Sequence, residues 1–247
     1  KEKPEWLRYS IESMLAQTVK ADEFLIVLDG PLTKELDCVI AEYTAKYGDL
    51  FTIVPLEKNV GLGPALAIGL SKCRNEWIVR MDSDDYSVPE RCEKLLAVAA
   101  ENPDYGIIGS FEVEFENDIK NEVAIHRVPE TPEEIHTFMK RRCALLHPTV
   151  LYKKSVIEQC GNYHDVRLYE DYDLFMRVVI ENNVMCYNIQ ENLYYIRVND
   201  AFYARRGGLS YMKTAVAFKW KQYRRGYMRT RDFIVSAGSQ AFVCVVP

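Results

Sequence analysis

The 247-residue sequence has no apolar run near the about 18 residues that a membrane span needs. It also lacks the basic, apolar and small-residue order of a secretory leader. Both absences favour a cytoplasmic chain, attached at most to the inner face of a membrane. Its seven cysteines, Cys38, Cys73, Cys92, Cys143, Cys160, Cys186 and Cys244, form no CxxC pair and no metal-finger spacing. They read as reduced thiols of a cytosolic protein rather than as a disulfide framework or zinc site. Internal repeats, low-complexity tracts and Gly/Ser linkers are missing as well, which excludes a solenoid and favours one domain with a tail. Acidic residues are missing from 201–231, although the whole chain has a formal charge of -5.

What is present is a core-forming composition, 48% hydrophobic and 27% charged, near the averages of folded globular chains. Leu7, Ile11, Met14 and Leu15 mark one helical face, and Phe24 to Leu28 is a short continuous apolar run that predicts a buried strand. A helix from Thr33 to Tyr47, a strand from Phe51 to Pro55, a helix opened by Pro64 and a strand from Trp77 to Met81 follow. Ser87 with Glu90 predicts a capping box for a helix to Glu101. Strands from Tyr105 to Phe115 and from Glu122 to Val128 come next, then a helix start at Thr131 with Pro132. Alternating strands and helices predict a largely parallel sheet covered on both faces. The chain opens directly on a helix, whereas a doubly wound sheet ordinarily begins with a strand.

Chemistry concentrates where the strand from Trp77 ends in Asp82, Ser83, Asp84 and Asp85. Ligands of open parallel sheets bind outside the carboxyl ends of strands. Asp82 and Asp84, two apart, would face the same way in extended chain and share a hard divalent cation, Mg or Mn, with diphosphate oxygens. The competing reading is acidic capping of the next helix, but three carboxylates in four residues repel one another unless a cation neutralises them. A calcium loop ending at Glu93 fails because Ser87 replaces the required glycine.

Five segments together, LIVLDG at 25–30, EKNVGLGPALAIG at 57–69, RMDSDD at 80–85, HPT at 147–149 and YEDYD at 169–173, resemble glycosyltransferase family 2. The resemblance spans about Pro4 to Arg206, and the combination is far more specific than any single segment. It implies the α/β GT-A fold, with a Rossmann-like, mostly parallel central sheet and helices on both faces. On that resemblance residues 1–200 are the glycosyltransferase domain and 201–247 a basic, aromatic helical tail. Asp82 and Asp84 then match the DxD motif, with Asp84 the principal metal ligand and Asp82 nearer the ribose. Asp29 matches the acid that reads the uracil edge, although residues 29–31 also make a good turn by themselves. Asn59 and Gly61 lie in a glycine-rich helix start suited to a nucleotide or simply to tight packing. Asp171 matches the base that deprotonates an acceptor hydroxyl during inverting displacement. The implied partners are a nucleotide-sugar donor, UDP-linked, and a glycan or lipid-linked acceptor of bacterial cell-surface polysaccharide assembly. His147 is a candidate phosphate or acceptor contact, but a lone histidine is more often a satisfied structural residue.

Three departures qualify the resemblance. The family's first strand, which walls the base pocket, has no counterpart ahead of Pro4. The motif of processive synthases is missing after Asp171, which implies transfer of a single sugar. The ending at Val245 to Pro247 is abrupt. The basic run, Arg205, Arg206, Lys213, Lys219, Lys221, Arg224, Arg225, Arg229 and Arg231, alternates with Tyr211, Phe218, Trp220, Tyr223 and Tyr227. That pattern suits either anionic lipid headgroups or packing on the body. Nucleic acid is disfavoured because the rest of the chain is acidic. The rival functions are an inactive GT-A binding module, a nucleotidyltransferase without the usual Gly-rich start, and a phosphatase whose aspartate normally follows the first strand.

Overall fold

A computed structural model describes residues 3–199, 202 and 208–245. The expected boundary at residue 200, Arg205, Arg206 and the final two residues fall outside the described residues.

The first unit grows from short-range signals. Pro4 opens α1 (Pro4–Leu15), which buries Leu7, Ile11 and Met14. Thr33 caps α2 (Lys34–Tyr47), its hydroxyl accepting the Leu36 N–H. Between and after these helices run β1 (Phe24–Leu28) and β2 (Phe51–Pro55), paired in parallel from Phe24 opposite Phe51 to Leu28 opposite Pro55. Leu36, Val39, Ile40, Tyr43 and Phe51 join Leu7 and Ile11 in a core of their own. Helix α3 (Leu62–Lys72) begins two residues ahead of Pro64, with Gly61 as its N-cap at φ 91°.

The strands of the second sheet are β3 (Trp77–Val79), β4 (Tyr86–Ser87), β5 (Ile107–Phe115), β6 (Glu122–His126), β7 (Leu151–Lys153) and β8 (Cys186–Arg197). Their order is β3-β7-β5-β8-β4, with β6 added on β5. The parallel pairing expected from the helix–strand alternation holds for β1 with β2 and for β5 with β8. The other pairings in this sheet are antiparallel. One of them, β5 with β6, is a hairpin across residues 116–121; the others pair strands far apart in the chain, with helices between them. Helices α4 (Arg91–Glu101), α5 (Pro132–Met139) and α6 (Lys154–Gln159) join α7 (Glu170–Met176), which runs on as a π-helical turn, Arg177–Glu181. Helix α5 starts at the expected Thr131 and Pro132, where a capping box is present, with Thr131 and Glu134 satisfying each other's backbone N–H groups. The capping box predicted at Ser87 is not present, because Ser87 sits in β4 and its hydroxyl accepts from Gln17 Nε2 at 3.1 Å. Helix α4 starts later, with Glu90 at the N-cap and no side-chain cap.

The strand from Phe24 to Leu28 is half-exposed at every residue, not buried as its apolar run predicts, and β3 is half-exposed as well. Each strand has one partner among the described residues, so each lies at a sheet edge. A slot of about 640 Å³ lies at these edges, lined by Phe24 to Val27, Trp77 to Val79, and Leu62, Leu66 and Leu70 of α3.

The tail forms α8 (Gly208–Arg224) and α9 (Thr230–Val245). Its aromatic residues turn mostly inward. Phe218 is buried and stacks on Tyr169 at 4.5 Å, while Tyr211, Tyr223 and Tyr227 pack against the large core of the second unit. Of the aromatics named for a lipid surface, Trp220 alone belongs to the exposed large hydrophobics.

Candidate donor and catalytic site

Asp29, Asn59 and Gly61 form one unit at the carboxyl end of β1. Asp29 Oδ1 accepts the Val60 N–H at 2.7 Å and Oδ2 accepts the Gly61 N–H at 3.2 Å, while Asn59 Nδ2 donates to the Asp29 carbonyl at 3.2 Å. The carboxylate therefore satisfies amides at the start of α3. Close approach of the two loops needs glycine at position 30, where φ is +90° and an added Cβ would lie 2.7 Å from Asn59 N. The same helix start touches α7. A Cβ on Gly63 would lie 2.4 Å from the His164 carbonyl and 3.3 Å from Glu170 Cβ. Asp171 follows Glu170 in the first turn of α7. Its Oδ1 accepts the Tyr172 N–H at 2.7 Å. Leu174, Phe175, Val178 and Val179, at most 2% exposed, fix the helix beneath it.

Asp82 and Asp84 lie in a turn beyond the end of β3, not in extended chain, so strand alternation does not set their directions. Other contacts do. Arg80 Nη2 donates to Asp82 Oδ1 at 2.6 Å, the Asp82 N–H donates to the Tyr194 hydroxyl at 3.1 Å, and Ser10 Oγ donates to the Asp82 carbonyl at 2.6 Å. Arg197 Nε donates to the Asp84 carbonyl at 2.8 Å. Asp85 is consumed by the fold. Its carboxylate is 1% exposed and accepts from the Tyr194 hydroxyl and the Arg197 N–H, each at 2.8 Å. Burial, together with the charges of Asp82 and Asp84, pushes its carboxyl well above the usual range.

Arg80, Tyr194 and Arg197 are the residues that sequence reasoning missed. A signal existed for Arg80, since it stands two residues before Asp82. Tyr194 and Arg197 come from a strand more than a hundred residues away and had none. Arg80 is 7% exposed, and its Nε and Nη1 find no partner among the described residues. His147 proves to be a packed residue: it is buried, its Nε2 lies 3.0 Å from the Tyr163 hydroxyl, and its ring tilts against Phe175. Burial and the nearby Arg80 charge push its imidazole well below the usual range.

Among the described residues no three His, Cys, Asp or Glu side chains make a closed cage for a metal. The Asp82 carboxylate fits a different kind of site, and Asp84 follows it in the same turn. A hard cation held by one or two carboxylates takes its other oxygens from substrate phosphates, and Asp82, with 35% of its side chain exposed, lines the slot.

The sequence profile of "Glycosyl transferase family 2" matches residues 1–161. An uncharacterized glycosyltransferase of Haemophilus influenzae is 38% identical over 227 residues, covering 92% of this chain and 82% of that one. The UDP-Gal:alpha-D-GlcNAc-diphosphoundecaprenol beta-1,3-galactosyltransferase of Escherichia coli is 34% identical over 247 residues, covering 100% of this chain and 88% of its own. Among solved structures, the mannosyltransferase PcManGT from Pyrobaculum calidifontis, in complex with GDP-Man and Mn2+, is similar at a TM-score of 0.67 and 14% identity, covering 98% of this chain and 67% of that one. The TarS fragment 1-349 of S. aureus with UDP-GlcNAc is similar at 0.63 and 15%, covering 86% and 61%. At these identities the structural likenesses speak for the fold alone, which is GT-A. With its ordered motifs and close relatives, this chain is a glycosyltransferase and belongs to glycosyl transferase family 2.

Proposed function

We propose that the chain catalyses inverting transfer of one sugar from a nucleoside diphosphate sugar, UDP-linked, to a hydroxyl of a glycan or lipid-linked acceptor. The observation that carries the reading is the junction of the α3 and α7 starts. It gathers Asp29, Asn59 and Gly61 with the helix opening at Glu170 and Asp171. In this reading Asp29 faces the base, Asp82 the ribose, and Asp84 is the principal ligand of Mg or Mn. That cation, when bound, would neutralise charge on the leaving diphosphate. Asp171 would take the acceptor proton, held in place by the buried face of α7. The E. coli relative supports both the donor and the acceptor class, since its name specifies UDP-Gal and a lipid-linked GlcNAc. The amylovoran biosynthesis glycosyltransferase AmsE of Erwinia amylovora, 34% identical over 218 residues, supports a polysaccharide product. A lipid-linked acceptor would bring a cytoplasmic chain to the inner face of a membrane.

Titration with UDP, with and without Mn, on the parent and on Asp84→Asn tests the donor site. At a hundredfold excess over Kd, bound UDP should stabilise the parent by about 2.7 kcal/mol, need the metal, and do neither in the variant. Absence of UDP binding in the parent, and in a version whose slot is filled by an added strand, would remove the reading.

A further inference from the structure

The hairpin of α8 and α9 has two unlike sides. Toward the body it buries Ala215, Phe218, Lys219, Gln222, Asp232 and Ser236. Outward it leaves Leu209 65%, Trp220 49%, Ile234 62%, Val235 47% and Phe242 66% exposed. These are five of the twelve exposed large hydrophobics named among the described residues, in a segment of 38 residues, so the clustering is not the ordinary scatter of apolar surface side chains. On α8 they follow helical spacing. Met212, Val216, Ala217 and Trp220 line a shallow groove of about 400 Å³ together with Lys213. On α9, Ile234 and Val235 are adjacent and Phe242 follows them about two turns on.

The charge of this hairpin has one sign. Lys213, Lys221, Arg224, Arg229 and Arg231 are exposed. Asp232, the one acidic residue in 208–245, is 9% exposed and accepts from Arg141 Nε at 2.6 Å. A body of net negative charge thus carries an appendage whose exposed ionic groups are all cationic. Soluble surfaces interleave both signs. Helices that lie in a bilayer interface combine exposed apolar residues with a basic border, whose long side chains reach the headgroups while the apolar groups enter the acyl boundary.

From this surface we infer that the α8–α9 hairpin docks on an anionic bilayer, with Leu209, Trp220, Ile234, Val235 and Phe242 entering the interface and Lys213, Lys221 and Arg224 at the headgroups. The inward residues hold the hairpin against α7, so docking presents the catalytic helix to the membrane as one body. Phe218 stacks on Tyr169, and Gln222 Nε2 and Arg225 Nη1 donate to Asp173 Oδ1 at 3.1 and 2.7 Å. This deepens the lipid-linked acceptor reading by naming the surface, and it is measured without donor, acceptor or turnover, so failure of one is distinguishable from failure of the other.

Cosedimentation with phosphatidylglycerol/phosphatidylcholine vesicles and with pure phosphatidylcholine vesicles tests it. The parent should bind the anionic vesicles and leave the neutral ones. Two variants, Ile234→Ser with Phe242→Ser, and Lys213→Glu with Lys221→Glu, should each weaken partitioning roughly tenfold or more, given about 1 kcal/mol for each basic residue near an anionic surface. Both should keep the parent's Tm, since neither pair packs on the body. No binding by the parent, or equal binding by the serine variant, overturns the proposal. So does a parent dimer that the serine pair dissolves while vesicles are ignored, because the face would then be a contact between two copies of this chain.

Discussion

Asp173 Oδ1 accepts from Arg225 Nη1 at 2.7 Å while its Oδ2 accepts from Arg177 Nε at 3.1 Å, and the carboxylate is wholly buried between them. One side chain thus ties α7 to the loop that joins α8 and α9. Gln222 donates to Oδ1 as well, and His164 Nδ1 lies 3.2 Å from Oδ2. Burial alone would raise this carboxyl's pKa, but the Gln222 and Arg225 hydrogen bonds and the two guanidinium charges outweigh it, and the net shift is downward. Replacing Asp173 with Ala leaves two guanidinium groups facing one another without their anion. The expected loss is about 3–5 kcal/mol, the cost of breaking a buried pair, read as a lower urea midpoint. Arg225→Ala should cost less, because its side chain is partly exposed and Arg177 and Gln222 remain.

His147 gives the molecule a pH dependence of known sign. Its imidazole is pushed well below the usual range by burial and by Arg80, so the unfolded chain takes up a proton below about pH 6.5 that the folded chain refuses. Stability is full above that value and falls as pH falls from it toward the depressed folded pKa. His147→Gln should flatten the slope of Tm between about pH 7 and about pH 5 relative to the parent. An unchanged slope would assign the pH dependence to other groups.

Segments whose signal is local were legible in the sequence. The bounds of β1 and β2 and the helix starts at Thr33 and Thr131 follow from residues within one turn of each other. Ser87 shows where local reading fails, since Gln17, 70 positions away, takes the hydroxyl that would otherwise cap a helix. The tail aromatics show the same limit. Alternation with basic residues says nothing about which face meets the body, and Tyr169 and Tyr172, which stack on or tilt against Phe218, lie far off in sequence. At the candidate site the acids were legible, but not the groups that orient them, because Tyr194 and Arg197 reach the aspartate turn only through the pairing of β4 with β8.

Asp29 is expected to carry stability as well as affinity. Asp29→Ala leaves the Val60 and Gly61 N–H groups without their acceptor, at a cost of about 1–3 kcal/mol for each that stays buried. Asp29→Asn keeps one acceptor oxygen and should recover part of that loss. If Asp29 also reads the base, both variants lose UDP affinity even where Tm is recovered, and calorimetry separates the two effects. Full recovery of UDP binding in Asp29→Asn would confine Asp29 to its role in the turn.

The slot between the sheet edges makes the last prediction. Phe24 to Leu28 and Trp77 to Val79 are continuous apolar runs, the pattern of strands covered on both sides, yet each has one partner among the described residues. Exposed apolar edges favour pairing with another strand. The start of α1 fixes the direction that strand would take. Ser10 binds the Asp82 carbonyl, Tyr9 stacks on Tyr86 at 5.1 Å, and the Arg197 guanidinium lies over Trp6 at 5.2 Å, so α1 begins beside the carboxyl end of β3. A Val- and Ile-rich segment of about six residues, fused ahead of Lys1 through a short turn, would run back from there into the slot parallel to β1 and β3. It should raise Tm, abolish binding of the apolar dye ANS, and tighten UDP, because its carboxyl end would border the Asp29 and Asp82 turns. A control segment with proline at alternate positions cannot supply the ladder hydrogen bonds and should do none of these. Equal behaviour of the two fusions would mean that the slot is closed by rearrangement of β1 and β3 rather than by a strand.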